Sequence, residues 1–406
     1  MKNIYCPKRN FRFLIFLVLL SILIRFLFFV AFLHAGFSDN FSLNHYPDSL
    51  TYVAPADSIL NQGKYLNQQM QPDIYRTPGY PMFLSFCKII FKTNWIWAAI
   101  IIQLLINIFS VVVLYKAIWI LSGNLKAACL GSLVAALNLH DIYFCFFILS
   151  DSLSQSILLL SVFFLILFFR KEKITHLSFA AFFFSTGTFI RPAGLYLPIL
   201  LAVVVLLYFS LQKMRGKGVI YAILLLLIGL LPEFLWQMRN EKATGYSGFS
   251  AIQEENLFAY HAAGILAEKN GTSFYQEQEK LKNNPEIEKL TQTMSLQEAQ
   301  RMMAAEIITA NVPVYLFLNL KGVGYILLYP GLFDIAQIHP PFRAYIANLK
   351  SNLLTPFSLF ERVLNFLKVP YSFLTILNLV WLFVILLFTF LGIQRSFNLG
   401  MPWQLN

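Results

Sequence analysis

Long apolar runs, each near the length a helix needs to cross a bilayer, recur along the chain at 13–33, 95–115, 127–147, 152–169, 175–190, 193–209, 219–237, 313–331 and 371–393. A span takes ~20 apolar residues at a rise of ~1.5 Å each. Such solid runs exclude a soluble globular domain, a disordered chain and a disulfide scaffold. They also differ from the short alternating segments of a β-barrel. Composition agrees, with 58% hydrophobic and 13% charged residues, where soluble domains have ~45–50% and ~25%. The expected fold class is an all-α polytopic membrane protein. The first run follows Lys2, Lys8, Arg9 and Arg12. It resembles a signal peptide but is too long and lacks a small-x-small cleavage site, so it reads as an uncleaved first helix.

Charge sets the expected topology. The segments 1–12, 116–126, 170–174 and 210–218 hold twelve Lys and Arg, whereas the links at 148–151 and 191–192 hold only Arg191. The positive-inside rule then puts the N-terminus in the cytoplasm. The net charge of +11 is thereby read as topology, and no nucleic-acid partner is expected. Of the first eight carboxylates, only Glu172 falls on the cytoplasmic side. Asp39, Asp48, Asp57, Asp73, Asp141, Asp151 and Glu233 lie in outward loops or toward the outer helix ends. Any chemistry is therefore expected to face outward. The location expected is a plasma (inner) membrane.

Three regions follow: a transmembrane module over 1–237, with a first outward loop at 34–94; an outward, mostly helical segment over 238–312; and a C-terminal membrane region over 313–406 with one or two helices. Within the first loop, 79–92 is too short to span and reads as an interfacial helix. The cysteines Cys6, Cys87, Cys129 and Cys145 have no metal-like spacing and imply no disulfide framework.

Five charged positions stand out. Asp48 follows Pro47 and opens a helical pattern ending near Gly63; it suits a helix N-cap, or a carboxylate base at the outer face. Arg76, before Pro78-Gly79-Tyr80-Pro81, suits headgroup snorkelling or a bidentate anion clamp. Asp151 suits an N-cap opening the fourth span. Arg191-Pro192 joins two short spans, so its guanidinium should meet an anion in the outer interface, either a headgroup or a lipid-phosphate substrate. Arg239, in Pro232-Glu-Phe-Leu-Trp-Gln-Met-Arg-Asn240, suits an interfacial anchor. Arg25, inside the first run, reads as snorkelling outward. The chain lacks a Walker loop, a dinucleotide fingerprint, an HExxH helix and a nucleophile elbow.

In this order, these residues resemble the GT-C glycosyltransferases: the first-loop Asp48, Arg76-Thr-Pro-Gly-Tyr-Pro81, Asp151 opening the fourth helix, Arg191-Pro192, and Pro232-x-x-x-Trp236-x-x-Arg239-Asn240. The chain is most similar to the branch of the protein O-mannosyltransferases and the lipid A aminoarabinose transferase. The likeness covers about residues 10–265. It implies a GT-C-like helix bundle that moves a sugar from a polyprenyl-phosphate donor to an extracytoplasmic acceptor. Asp48 would be the catalytic residue, and Arg76 and Arg239 would bind the lipid phosphate. Tyr80, Asp151 and Arg191 complete the candidate substrate-binding set. Many relatives carry an Asp-Glu pair where this chain has Asp48-Ser49, so no cofactor is expected and a divalent metal has no support. Pro55 is expected to interrupt the helix after Asp48. Two other functions fit a chain of this kind: a transporter or flippase of a lipid-linked substrate, and a non-catalytic assembly subunit.

Overall fold

A computed structural model describes residues 8–34 and 38–328. The described residues form helices and turns with no β-strand, only an isolated bridge between Leu66 and Pro72. The chain is an all-α polytopic membrane protein. Among the described residues, five helical stretches are long and apolar enough to cross a membrane: Phe11–Leu33, Gly79–Ser122, Asp151–Lys171, Pro192–Leu211 and Arg215–Thr244.

The first compact unit comprises residues 8–30 and 38–310. It holds most of α1 (Lys8–His34), then α2 (Asp39–Asn44), α3 (Pro47–Gln62), α4 (Gly79–Phe91), α5 (Trp95–Ser122), α6 (Leu125–Ala136), α7 (Leu139–Phe144), α8 (Asp151–Lys171), α9 (Ile174–Ile190), α10 (Leu197–Leu211) and α11 (Arg215–Thr244). Short helices follow: α12 (Ile252–Glu255), a π-helix at Asn256–Ala262, α13 (Ala263–Asn270), α14 (Phe274–Lys282), α15 (Pro285–Leu290) and α16 (Leu296–Ala310). The second unit includes α17 (Val312–Leu328). The expected span at 313–331 thus begins as a helix. The one at 371–393, and the side taken by 332–370, lie outside the described residues.

Helices α8–α11 share one apolar core built on Phe168, Leu177, Val205, Phe209 and Leu225. Small residues let α8 and α9 approach closely: Ser161 Oγ donates to Ala180 O at 2.6 Å, a packing suited to lipid, where close van der Waals contact replaces the hydrophobic drive. The short α9, with 17 residues or ~25 Å of helix, turns into α10 through a 3₁₀ turn at Pro192–Gly194. That matches the expectation of two short spans sharing a turn.

The expected span at 127–147 is not one helix. Helix α6 stops at Ala136, Asn138 caps α7 by accepting from Asp141 N at 3.4 Å, and residues 145–150 run in turns. Bare carbonyls inside a bilayer would disfavour this break, but three successive ones find side-chain donors. The fully buried Gln103 of α5 donates to Cys145 O (3.0 Å) and Phe147 O (3.1 Å), and Ser42 Oγ donates to Phe146 O (3.1 Å).

Arg25 does not snorkel. It is 3% exposed. Its Nε donates to Asn107 Oδ1 at 3.1 Å and its Nη1 to Ser21 O at 2.9 Å, while Asn107 Nδ2 donates to Asp141 Oδ2 at 2.6 Å. A guanidinium and a carboxylate thus share one bridging amide inside the bundle, which spares each an unpaired charge.

Candidate functional site

Two ion pairs and one anchored arginine gather at one end of the helices. Helix α3 opens with Pro47 at its first position, where a missing N–H costs nothing. Gly63, at φ 65°, closes it in the left-handed region that glycine adopts freely. Pro55 lies buried within α3 and does not end it. The cap position falls on Tyr46, so Asp48 is a first-turn residue and not the N-cap. Its carboxylate goes to Arg76 Nη2 at 2.7 Å instead.

Asp48, Thr51 and Tyr52 stand at i, i+3 and i+4, so they share one face. Arg76 lies across that face. Its Nε donates to Thr51 Oγ1 (2.8 Å) and its Nη1 to Tyr52 OH (3.2 Å), and its guanidinium stacks 4.4 Å from the Tyr52 ring centroid. The Arg76 side chain is 10% exposed and that of Asp48 58%. The pair is therefore a buried cation holding an accessible carboxylate.

A strap over residues 65–78 delivers Arg76. Asn67 folds its tip by accepting from Gln69 N and Gln71 N, both at 3.0 Å. The buried Asp73 carboxylate accepts from Tyr75 N (2.8 Å) and Arg76 N (3.2 Å). Burial pushes the Asp73 carboxyl above its ordinary range, against the pull of those two N–H groups and of Arg76 and Arg239. Burial likewise raises the Tyr65 phenol well above its usual value, and its hydroxyl donates to Arg76 O at 2.8 Å.

The strap ends where Gly79 meets α9. A Cβ on Gly79 would lie 2.7 Å from the main chain of Phe189 and 2.8 Å from Ile190 N, so only glycine fits. This contact brings the chain after Arg76 against the chain before Arg191. Arg191 forms an ion pair with Asp151, both partly exposed. Ser150, not Asp151, occupies the N-cap of α8, and its Oγ lies 2.9 Å from Tyr52 OH. Tyr52 thus touches Arg76 on one side and the start of α8 on the other.

The sequence candidates divide accordingly. Asp48, Arg76, Asp151 and Arg191 are brought to neighbouring places. Tyr80 is fully buried and donates its hydroxyl to Gln103 Oε1 at 2.7 Å. It reaches the site only by packing on Tyr52, with ring centroids 5.0 Å apart. Arg239 sits beside the strap. Its Nη1 donates to Asp73 O (2.7 Å) and Asn240 Oδ1 (3.0 Å), and its Nη2 to Tyr65 O (2.9 Å). Thr51, Tyr52, Tyr65 and Gln103 were not singled out in the sequence, and Asp73 stood there only as one of the outward carboxylates. For Asp73 a signal existed, an Asp two and three residues before the N–H groups it accepts. Glu233, expected toward the outer end of its helix, lies in the C-terminal half of α11 and is 1% exposed, beside Ser185.

Beneath these charges lies a largely apolar cavity of about 940 Å³ between α4, α8, α9 and α11, lined by residues including Gly79, Leu153, Phe182, Ile190 and Trp236. Each of the three arginines is close in sequence to that lining: Arg76 to Pro78, Arg191 to Ile190, and Arg239 to Trp236, over which its guanidinium stacks at 4.8 Å. Among the described residues, no three His, Cys, Asp or Glu side chains gather closely enough to hold a metal ion. No protein-family model matches the chain, and a search of curated proteins finds no match.

Proposed function

We propose that the chain is a membrane glycosyltransferase of the GT-C kind, moving a sugar from a polyprenyl-phosphate donor to an acceptor on the extracytoplasmic side of a plasma (inner) membrane, its N-terminus in the cytoplasm. The observation that carries this reading is the apolar cavity whose lining, at Pro78 and Ile190, lies within two residues along the chain of the ion-paired Arg76 and Arg191. An amphiphile with an anionic head suits it, since tails take apolar walls and phosphate takes guanidinium. The acceptor, a lipid, glycan or protein, would enter from the exposed side of Asp48.

In the proposed reaction an acceptor hydroxyl oxygen attacks the sugar C1 as the bond from C1 to the phosphate oxygen breaks. The hydroxyl proton passes to the Asp48 carboxylate, and the bonding pair leaves with the lipid phosphate. The transition state is oxocarbenium-like. Arg76 and Arg191 would stabilise the charge developing on phosphate, a contribution of ~3–4 kcal/mol for a well-placed donor. Their partners, Asp48 and Asp151, are side chains with exposed carboxylates, which phosphate can displace. That displacement would free Asp48 to act as base. Attack opposite the leaving group implies inversion at C1. No cofactor enters these steps.

The test is a membrane assay with a panel of radiolabelled polyprenyl-phosphate sugars. Wild type should transfer one of them, and Asp48→Asn should lose at least ~100-fold in rate while still inserting. Full activity in Asp48→Asn would defeat the assignment. Movement of the lipid-linked sugar across sealed vesicles without transfer would favour a flippase. Neutral effects of Arg76→Ala together with no lipid binding would favour an assembly subunit.

A further inference from the structure

We infer that Arg239 is a positioning residue that holds the Arg76 strap and does not itself bind the lipid phosphate; the inference rests on the role proposed above for Arg76. The difference between the two arginines lies in what they hold. The partners of Arg76 are side chains: Asp48, Thr51 and Tyr52. Those of Arg239 are the main-chain carbonyls of Tyr65 and Asp73, plus Asn240. Asn240 is fully buried and is itself fixed, its Nδ2 donating to Gly248 O (2.9 Å) and Phe249 O (3.1 Å). The guanidinium has Trp236 at 4.8 Å and Tyr65 at 5.4 Å, ring centroid to Cζ.

The carbonyls of the strap are taken up one after another. Tyr65 O and Asp73 O accept from Arg239, Ile74 O from Ala251 N (2.8 Å), Tyr75 O from Ser250 Oγ (2.5 Å) and Arg76 O from Tyr65 OH (2.8 Å). A phosphate can replace an exposed carboxylate on Arg76 or Arg191. On Arg239 three of the five N–H groups are spent on Asn240 and on two carbonyls of the strap, so a phosphate that drew the guanidinium away would also release the main chain that aims Arg76. The fork geometry suits arginine here: one rigid planar group meets two carbonyls from opposite arms of the strap and Asn240 while stacking on Trp236, an arrangement a single ammonium nitrogen does not reproduce.

The experiment uses the full chain in detergent, measuring binding of a short-chain polyprenyl phosphate and cleavage by trypsin after Lys64 or Arg76. Variants are Arg76→Ala, Arg239→Ala, the charge-conserving Arg239→Lys, and the double Arg76→Ala/Arg239→Ala. We expect both Arg239 variants to weaken binding about 10-fold or more, and to open the strap to trypsin while size-exclusion profiles stay unchanged. The double variant should stay within ~3-fold of Arg76→Ala alone, because two residues in one network are not additive. Wild-type affinity in Arg239→Lys with loss in Arg239→Ala, or losses that multiply in the double variant, would overturn the inference while leaving the proposed function standing. If wild type binds no polyprenyl phosphate, the proposed function falls. Trypsin then decides alone: a strap cut in Arg239→Lys supports the positioning role, and a strap still protected overturns it.

Discussion

Asp73 shows how a single side chain sets the geometry of a site without touching a ligand. Its carboxylate is buried, accepts two main-chain N–H groups, and is held above its ordinary pKa of 3.8 mainly by burial. A raised folded-state value means the fold favours the protonated acid. Its contribution to stability is fully present below the ordinary value and is lost as pH rises through the folded one. Raising pH from about 4 to about 7 should therefore destabilise wild type relative to Asp73→Asn, whose Oδ1 keeps both hydrogen bonds. Melting curves of both proteins at the two pH values check this; a constant difference would contradict it. Legibility at this scale follows charge. Asp48, Arg76, Asp151 and Arg191 stand out in sequence because charged groups are rare beside apolar runs. Their pairing was not legible, since it depends on Tyr46 taking the cap and Ser150 taking the next one. Gln103 gave no signal at all: an amide within an apolar run declares no partner until Tyr80, Cys145 and Phe147 arrive around it.

At the scale of elements, the site depends on how tightly α4 docks on α9. Gly79 is the contact point, and its added methyl would meet main chain rather than a yielding side chain. Gly79→Ala should cost about 1–3 kcal/mol and weaken any ligand held jointly by Arg76 and Arg191. Gly216→Ala, where nothing lies within 4 Å, should leave stability unchanged or raise it slightly through helix propensity. Thermal denaturation of the two variants side by side checks this; equal stability would contradict the contact. The long helices α1, α5, α8 and α11 were readable because unbroken apolar length is nearly sufficient for a span. The 127–147 run misled because apolarity says nothing about where the backbone bonds go. Its break draws on donors from α5 and from Ser42, remote in sequence. Pro55 misled in the opposite way, since α3 absorbs it without ending.

At the scale of the whole bundle, basic residues mark one end of α8, α9 and α11. Lys126 lies near the start of α6, Arg170 and Lys171 at the end of α8, and Arg215 and Lys217 at the start of α11. The Asp48–Arg76 and Asp151–Arg191 pairs occupy the opposite ends of α8 and α9 and the start of α3. The two pairs and these basic residues thus lie at opposite ends of α8 and α9. The central claim is that the apolar cavity takes the tail of an anionic lipid whose phosphate rests on the arginine pairs. Photolabelling tests it most directly, using a polyprenyl phosphate with a photoreactive group in its tail and mapping the adducts by peptide. The account predicts adducts on α4, α8, α9 and α11, at residues such as Met82, Leu153, Phe182 and Leu231, displaced by unlabelled polyprenyl phosphate and not by the uncharged polyprenol. Adducts scattered over the lipid-facing residues of α1 and α10, or equal displacement by the polyprenol, would contradict it.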